Sequence, residues 1–208
     1  MNDNFMITCW CGVPQKFLCE ERIVEAKEAG INVLTGEYDR EHMRLALDLC
    51  QKHGIKLIVI DERINEAMRN PEQRTALITE VTNDWKTHPA LHSYYLIDEP
   101  GADMFGLLAE MKEEFEKFDA VHPVYINLFP NYACREQLKT DTYEEHVAMF
   151  TEKVKPFLLS WDHYHLLNEV PAEAKIDFAS QRDADIYYDA QKRTERPGFY
   201  DNLEICRK

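Results

Sequence analysis

Two kinds of segment alternate along this chain. Short and nearly continuous apolar runs lie at Phe5–Trp10, Ile31–Gly36, Lys56–Asp61, Leu91–Ile97, Pro123–Leu128 and Phe157–Trp161. Between them, apolar residues recur every three to four positions, as in Cys19, Ile23 and Ala26, in Met43, Leu47 and Cys50, and in Tyr143, Val147 and Phe150. The first kind reads as strands buried on both faces and the second as helices with one apolar stripe. Helices are expected over 19–29, 39–53, 71–86, 103–118, 142–154 and 199–207. Gly30 and Gly54 act as C-terminal caps, and Pro71 falls in the first turn of its helix. The 165–198 stretch breaks the pattern. It is polar and irregular, with a short helix expected around 183–192.

Strict strand–helix alternation points to an α/β domain with a parallel sheet and right-handed crossovers. An open doubly wound sheet and a closed (β/α)8 barrel both fit this order. Six units in 208 residues is about 35 per unit, and eight such units would need roughly 280. On the barrel reading, the chain is a single domain over 1–208 that holds six of eight units. The edges of its first and sixth strands would be exposed, which implies a missing segment or an oligomer contact.

Composition narrows the function. Apolar residues make up 45% and charged residues 30%, the balance of a globular protein. Lys and Arg number 24 against 38 Asp and Glu, a formal charge of −14. Such a surface repels nucleic-acid phosphates and anionic lipids. No apolar run approaches the ~20 residues of a membrane span. The first strand begins near Phe5, which leaves no room for a signal peptide, so a cytoplasmic location is the default expectation. The 6 cysteines are scattered without a CxxC pair, which reads as free thiols. No GxGxxG or GxxxxGK[ST] loop follows a strand, so no nucleotide cofactor is expected.

In barrels, chemistry gathers at the C-terminal ends of strands. Those positions here hold Trp10, Glu37 with Tyr38, Asp61, Asp98 with Glu99, Asn127, and then Asp162, His163 and Tyr164. Acids and aromatics recur together at strand end after strand end. Aromatic faces stack on sugar C–H groups, while carboxylates bind hydroxyls or act on a glycosidic oxygen. Asp98 and Glu99 would point to opposite sides of a regular strand, so only one would enter the mouth fully. Pro100 would hold Glu99 extended. Capping of the following helix is an equally weighted reading of the same two acids. His163 and His165 form an HxH that straddles the strand end, a weak metal signal.

The segment Tyr94-Tyr95-Leu96-Ile97-Asp98-Glu99-Pro100 resembles the Asn-Glu-Pro strand-four end of clan A glycoside hydrolases, the β-galactosidase- and cellulase-like TIM barrels. Ser160-Trp161-Asp162-His163-Tyr164 is similar to the aromatic and histidine cluster beside the nucleophile in that family. Tyr125-Ile126-Asn127-Leu128-Phe129-Pro130-Asn131-Tyr132 resembles strand five of uncharacterised, mostly bacterial, glycosidase-like barrels. The resemblance spans most of residues 5–164. It implies a (β/α)8 barrel, here as six units, that hydrolyses O-glycosidic bonds, with Glu99 as acid/base and no cofactor or metal. Trp10, Tyr38, Asp98, Asn127, Tyr132, Asp162, His163 and Tyr164 would bind an oligosaccharide or glycoside. Two departures stand out: Asp98 replaces the usual Asn, and the family nucleophile, a strand-seven glutamate, has no counterpart here. The expectation is a catalytic domain that turns over poorly without that strand. The alternatives are an inactive carbohydrate-binding barrel fragment, or a metal-dependent sugar isomerase or lyase.

Overall fold

A computed structural model describes residues 5–164 and 198–207. Four parallel strands, β1 (Val33–Glu37), β2 (Lys56–Ile60), β3 (Leu91–Asp98) and β4 (Val124–Asn127), lie side by side in chain order. Around them run α1 (Glu20–Glu28), α2 (Arg40–His53), α3 (Glu62–Arg69), α4 (Arg74–Trp85), α5 (Phe105–Phe118), α6 (Arg135–Leu138), α7 (Tyr143–Val154) and α8 (Phe199–Arg207).

The two faces of the sheet differ. Leu34, Leu57, Val59, Tyr94, Leu96, Val124 and Ile126 pack with Ile23, Met43, Leu47, Val81, Trp85, Phe105, Met111 and Phe150 from the helices in one continuous core. On the other face, among the described residues, Val33, Ile58 and Tyr125 pack with Met6, Tyr95 and Leu158 from strand-like segments. An open doubly wound sheet would carry helices on both faces. One covered face, sequential order and parallel pairing make this an incomplete (β/α)8 barrel.

The expected first and sixth strands are each reduced to one bridge, Thr8 with Val33 and Leu128 with Trp161. At the first edge, the amides of Asn32 and Val33 both donate to the Ile7 carbonyl (3.1 and 3.2 Å), and side chains take the place of the rest of the ladder. Asn32 Oδ1 accepts from the Ile7 amide at 2.9 Å, and Asn32 Nδ2 donates to the Phe5 carbonyl at 2.7 Å. Further along, Thr35 Oγ1 donates to the carbonyls of Cys9 (3.0 Å) and Trp10 (2.7 Å). Gly12 crosses so close to β1 that an added Cβ would lie 1.8 Å from the Thr35 oxygen. The segment is thus pinned at two points and does not pair along its length.

Two short helices escaped the periodicity. In α3, Ile64 and Ala67 are buried, and Asp61 caps the helix by accepting from the Arg63 amide at 3.1 Å. Pro71 lies in the turn after α3, so α4 starts later than expected, at Arg74. The other is α6, a single turn. Asp39 caps α2 by accepting from the His42 amide at 2.9 Å, and Gly54 closes it with φ +65°, as expected. The irregular region expected over 165–198 lies, apart from Gly198, outside the described residues.

Candidate active site

The C-terminal ends of β3 and β4 and the segment 160–164 form the best-organised polar cluster. Asn127, 2% exposed, ends β4. Its Nδ2 donates to Asp98 Oδ1 at 3.0 Å and to Asp162 Oδ1 at 2.9 Å. Its Oδ1 accepts from Ser160 Oγ at 2.7 Å, and Ser160 Oγ lies 2.8 Å from the Tyr125 hydroxyl.

Asp98 and Glu99 both belong to this mouth, against the expectation that only one would. The β3–β4 register shifts between Tyr95 and Ile97. As a result Leu96 and Ile97 both turn toward the helices, and Asp98 comes round to the inner face beside Asn127. Glu99 then takes φ +45°, a left-handed conformation and not the extended one expected before Pro100. A non-glycine residue is strained there and needs its surroundings to hold it. The hold is visible, because the Glu99 amide donates to the Asn127 carbonyl at 2.8 Å.

The electrostatics follow from the crowding. Burial, and then the charges of Asp98 and Asp162, push the Glu99 carboxyl above its ordinary value. Asp98 is raised by burial and by Asp162, against the opposing hydrogen bond from Asn127. A carboxyl held toward neutrality at a strand end suits a general acid.

Aromatic residues continue the wall. Tyr95 stands edge-on to Trp10 (centroids 5.9 Å apart, planes at 74°) and 6.1 Å from Tyr125. Its hydroxyl is raised by burial first, and then by Asp98, Tyr125, Asp162 and Glu37. On the far side of Tyr95 lies a cavity of about 560 Å³, lined by Trp10, Thr35, Glu37, Ile60, Asn65 and Tyr95 among others. Its size falls within the usual range for small-ligand sites.

Of the nine residues chosen from sequence, Asp98, Glu99, Asn127 and Asp162 come together, and Tyr164 is adjacent. The Tyr164 hydroxyl is raised by Asp162, slight burial and Glu99. Its amide donates to the Tyr132 hydroxyl at 3.2 Å. Tyr132 meets the His163 ring at 5.3 Å, and His163 in turn packs on Phe199 at 5.2 Å, with Nδ1 3.4 Å from Asn202 Oδ1. Trp10 joins the site through Tyr95. Tyr38 does not converge on it: its hydroxyl donates to the Val13 carbonyl at 2.7 Å, its ring packs against the helix-side core, and burial raises it to about 12. Asp61, which also ends a strand-like run, caps α3 and binds Arg63. Tyr95, Tyr125 and Ser160 were not singled out. The signal for Tyr125 lay two positions before Asn127, on the same face of its strand.

Among the described residues, no group of three or more His, Cys, Asp and Glu is arranged to hold a metal ion. No helix among them is long and apolar enough to cross a membrane.

No protein-family model matches the chain, and no curated protein matches it in sequence. Solved structures do match. A candidate alpha-L-fucosidase from Bacteroides thetaiotaomicron aligns with TM-score 0.52 and 12% identity, over 74% of this chain and 63% of that one. A beta-galactosidase from Marinomonas ef1 aligns with TM-score 0.51 and 10% identity, over 77% and 41%. A beta-1,4-D-mannanase from Cryptopygus antarcticus aligns with TM-score 0.47 and 11% identity, over 66% and 56%. This chain spans less than two thirds of the length of each. The first two carry the fold assignment: this chain shares the barrel fold of those two structures, present in part.

Proposed function

We propose that this protein acts on O-glycosidic bonds, with Glu99 as the acid that protonates the departing oxygen. The observation that carries the reading is the convergence of Glu99, Asp98 and Asp162 beside an aromatic wall at the C-terminal end of the strands. The ligand is an oligosaccharide or glycoside. It would lie along Trp10 and Tyr95 on one side and Tyr132 and Tyr164 on the other, with its scissile oxygen near Glu99. Asp98 and Asp162 offer acceptors for sugar hydroxyls. In a double displacement, the second carboxylate would be the strand-seven glutamate of the family, which has no equivalent among the described residues. Within one domain over 1–208, saccharide binding without turnover is the second reading, favoured by the exposed rings of Trp10 and Tyr164, which suit stacking on sugar faces.

Leaving-group dependence tests the acid role. A leaving group of low pKa departs without a proton, whereas an alkoxide needs one. Glu99→Gln is expected to lower turnover of alkyl glycosides by about 10²–10⁴-fold. It should lower turnover of dinitrophenyl glycosides much less. An equal loss on both substrates, or none, would overturn the assignment of Glu99. Saccharide binding by calorimetry with no hydrolysis of any aryl glycoside would establish the second reading.

A further inference from the structure

Asn127 was expected to bind sugar, but it is 2% exposed and both of its N–H donors are already committed. An amide offers two N–H donors, and here one points at Asp98 and the other at Asp162. Its oxygen takes the Ser160 hydroxyl proton. A hydroxyl has one proton, so the contact between Tyr125 and Ser160 must run from the tyrosine to the serine oxygen. Every direction in the chain is therefore determined: Tyr125 donates to Ser160, Ser160 to Asn127, and Asn127 to both carboxylates. A turned amide would aim its oxygen at two carboxylates, which only accept. The two carboxylates therefore fix the orientation of the amide, and the Ser160 hydroxyl, which can donate or accept, follows it.

We infer that Tyr125, Ser160 and Asn127 form a one-way hydrogen-bond relay that sets the spacing of Asp98 and Asp162 beside Glu99, with Asn127 a positioning residue and not a sugar ligand. The two N–H bonds of an amide diverge by about 120°, so the two accepting oxygens stand about 5 Å apart. That gap holds the carboxylates clear of direct contact while leaving their outer oxygens for a ligand. Asn127 also anchors the third acid through its main chain, because its carbonyl receives the Glu99 amide. One residue thus ties together all three acids. The groups facing Asp98 are Tyr95 on β3, Tyr125 and Asn127 on β4, Glu99 after β3, and Asp162 and Tyr164 on and after the sixth-strand segment. The donors from Asn127 are what offset the crowding.

The inference rests on the proposed site, but its test needs no turnover. In isotope-labelled protein, the side-chain amide protons of Asn127 report the relay through hydrogen exchange. The Asp98 carboxyl carbon reports its own titration. Ser160→Ala is expected to speed Asn127 side-chain exchange by roughly tenfold, the worth of one hydrogen bond, and to move the Asp98 titration upward. Ser160→Thr, which keeps the hydroxyl, should restore both. Tyr125→Phe should give a smaller change in the same direction. It also serves as the second variant if Ser160→Ala fails to fold. Unchanged exchange and titration in Ser160→Ala, or in Tyr125→Phe where that stands in, would overturn the relay. Loss of the relay signals with Glu99-dependent hydrolysis intact would sink this inference alone. Intact relay signals with no hydrolysis would sink the catalytic reading alone.

Discussion

Asp98 and Asp162 accept hydrogen bonds from the same nitrogen, Asn127 Nδ2, at 3.0 and 2.9 Å. Two acids brought this close, with a third on the adjacent residue, reduce stability at neutral pH. Glu99 has a raised value in the folded chain. Its contribution is most favourable below the unfolded value and is lost as pH rises through the folded one. Glu99→Gln should therefore raise Tm at pH 7, and the gain should vanish at acid pH where both chains carry a neutral group. For a partly exposed carboxylate the effect is under about 1 kcal/mol. Glu99→Gly removes the charge and also relieves φ +45°, so it should exceed Glu99→Gln by about 1 kcal/mol. Thermal melts at pH 4 and pH 7 check both. A destabilising Glu99→Gln at pH 7 would contradict the crowding.

A second acid cluster works the other way. Arg63 Nε and Nη2 reach Asp61 at 2.9 and 2.7 Å, and Nη1 reaches Asp84 at 3.0 Å. Trp85 Nε1 donates to Asp61 at 3.1 Å, and Arg40 also contacts Asp84. Burial alone would raise Asp61, but the Arg63 guanidinium outweighs it and leaves the carboxyl below its ordinary value. Arg63→Met would leave the nearly buried Asp61 without a cation and Asp84 with Arg40 alone, at a cost of about 3 kcal/mol. Urea unfolding should show that loss at pH 7. The deficit should shrink as pH falls through the folded Asp61 value, where the wild-type chain loses the same interaction. A loss under about 1 kcal/mol would mean that Arg40 suffices for the pair.

These two clusters show what was legible in the sequence. Parallel pairing and the helix stripes followed from apolar periodicity, because core burial enforces it, whereas the sequential strand order followed from the barrel resemblance. Asp98, Glu99, Asn127 and Asp162 were found because each ends a strand-like run. Asp61 ends a run as well, yet it is a cap and an ion-pair partner. Position alone does not separate the two roles, since the arginine that claims Asp61 sits two residues on. The facing of Asp98 and Glu99 was illegible for a similar reason. It depends on a register shift between Tyr95 and Ile97 and on one left-handed residue, and both are set by pairing with β4. The first strand misled because Asn32 takes over its backbone partners through a side chain.

His146 supplies a pH dependence on α7, on the helix side of the barrel. It is 0% exposed, donates from Nδ1 to the Leu138 carbonyl at 3.0 Å, and sits among Phe105, Phe129 and Tyr143. Burial lowers it, against the opposing hydrogen bond that it donates to the Leu138 carbonyl. The folded ring stays neutral while the unfolded ring takes a proton below about pH 6.5. Stability is therefore full above that value and falls as pH drops toward the lowered folded one, by at most about 1.4 kcal/mol per pH unit. His92, lowered by burial and by Lys56 and His122, adds in the same direction. His146→Leu should flatten the slope between pH 6.5 and 5 without abolishing it. An unchanged slope would mean that His146 is not the group responsible.

The last prediction concerns how the aromatic wall is held. Trp10 is 46% exposed, and its ring meets the edge of Tyr95 at the cavity of about 560 Å³. No strand ladder fixes it. It depends on Thr35 Oγ1, which binds the Trp10 carbonyl at 2.7 Å, and on Gly12, whose absent Cβ lets the chain pass against the Thr35 oxygen. Gly12→Ala would place a methyl 1.8 Å from that oxygen, so the loop must lift away. Overpacking of this kind costs about 1–3 kcal/mol. It should also move Trp10 off Tyr95 and change the near-ultraviolet circular dichroism. Thr35→Val keeps the volume but removes the donor, so its effect on the dichroism should be the same in sign and smaller. On the proposed reading, Gly12→Ala should weaken saccharide binding about as much as Trp10→Ala, and the double variant should add little, since both remove the same stacking surface. Fully additive losses in the double variant would show that Gly12 does not act through Trp10.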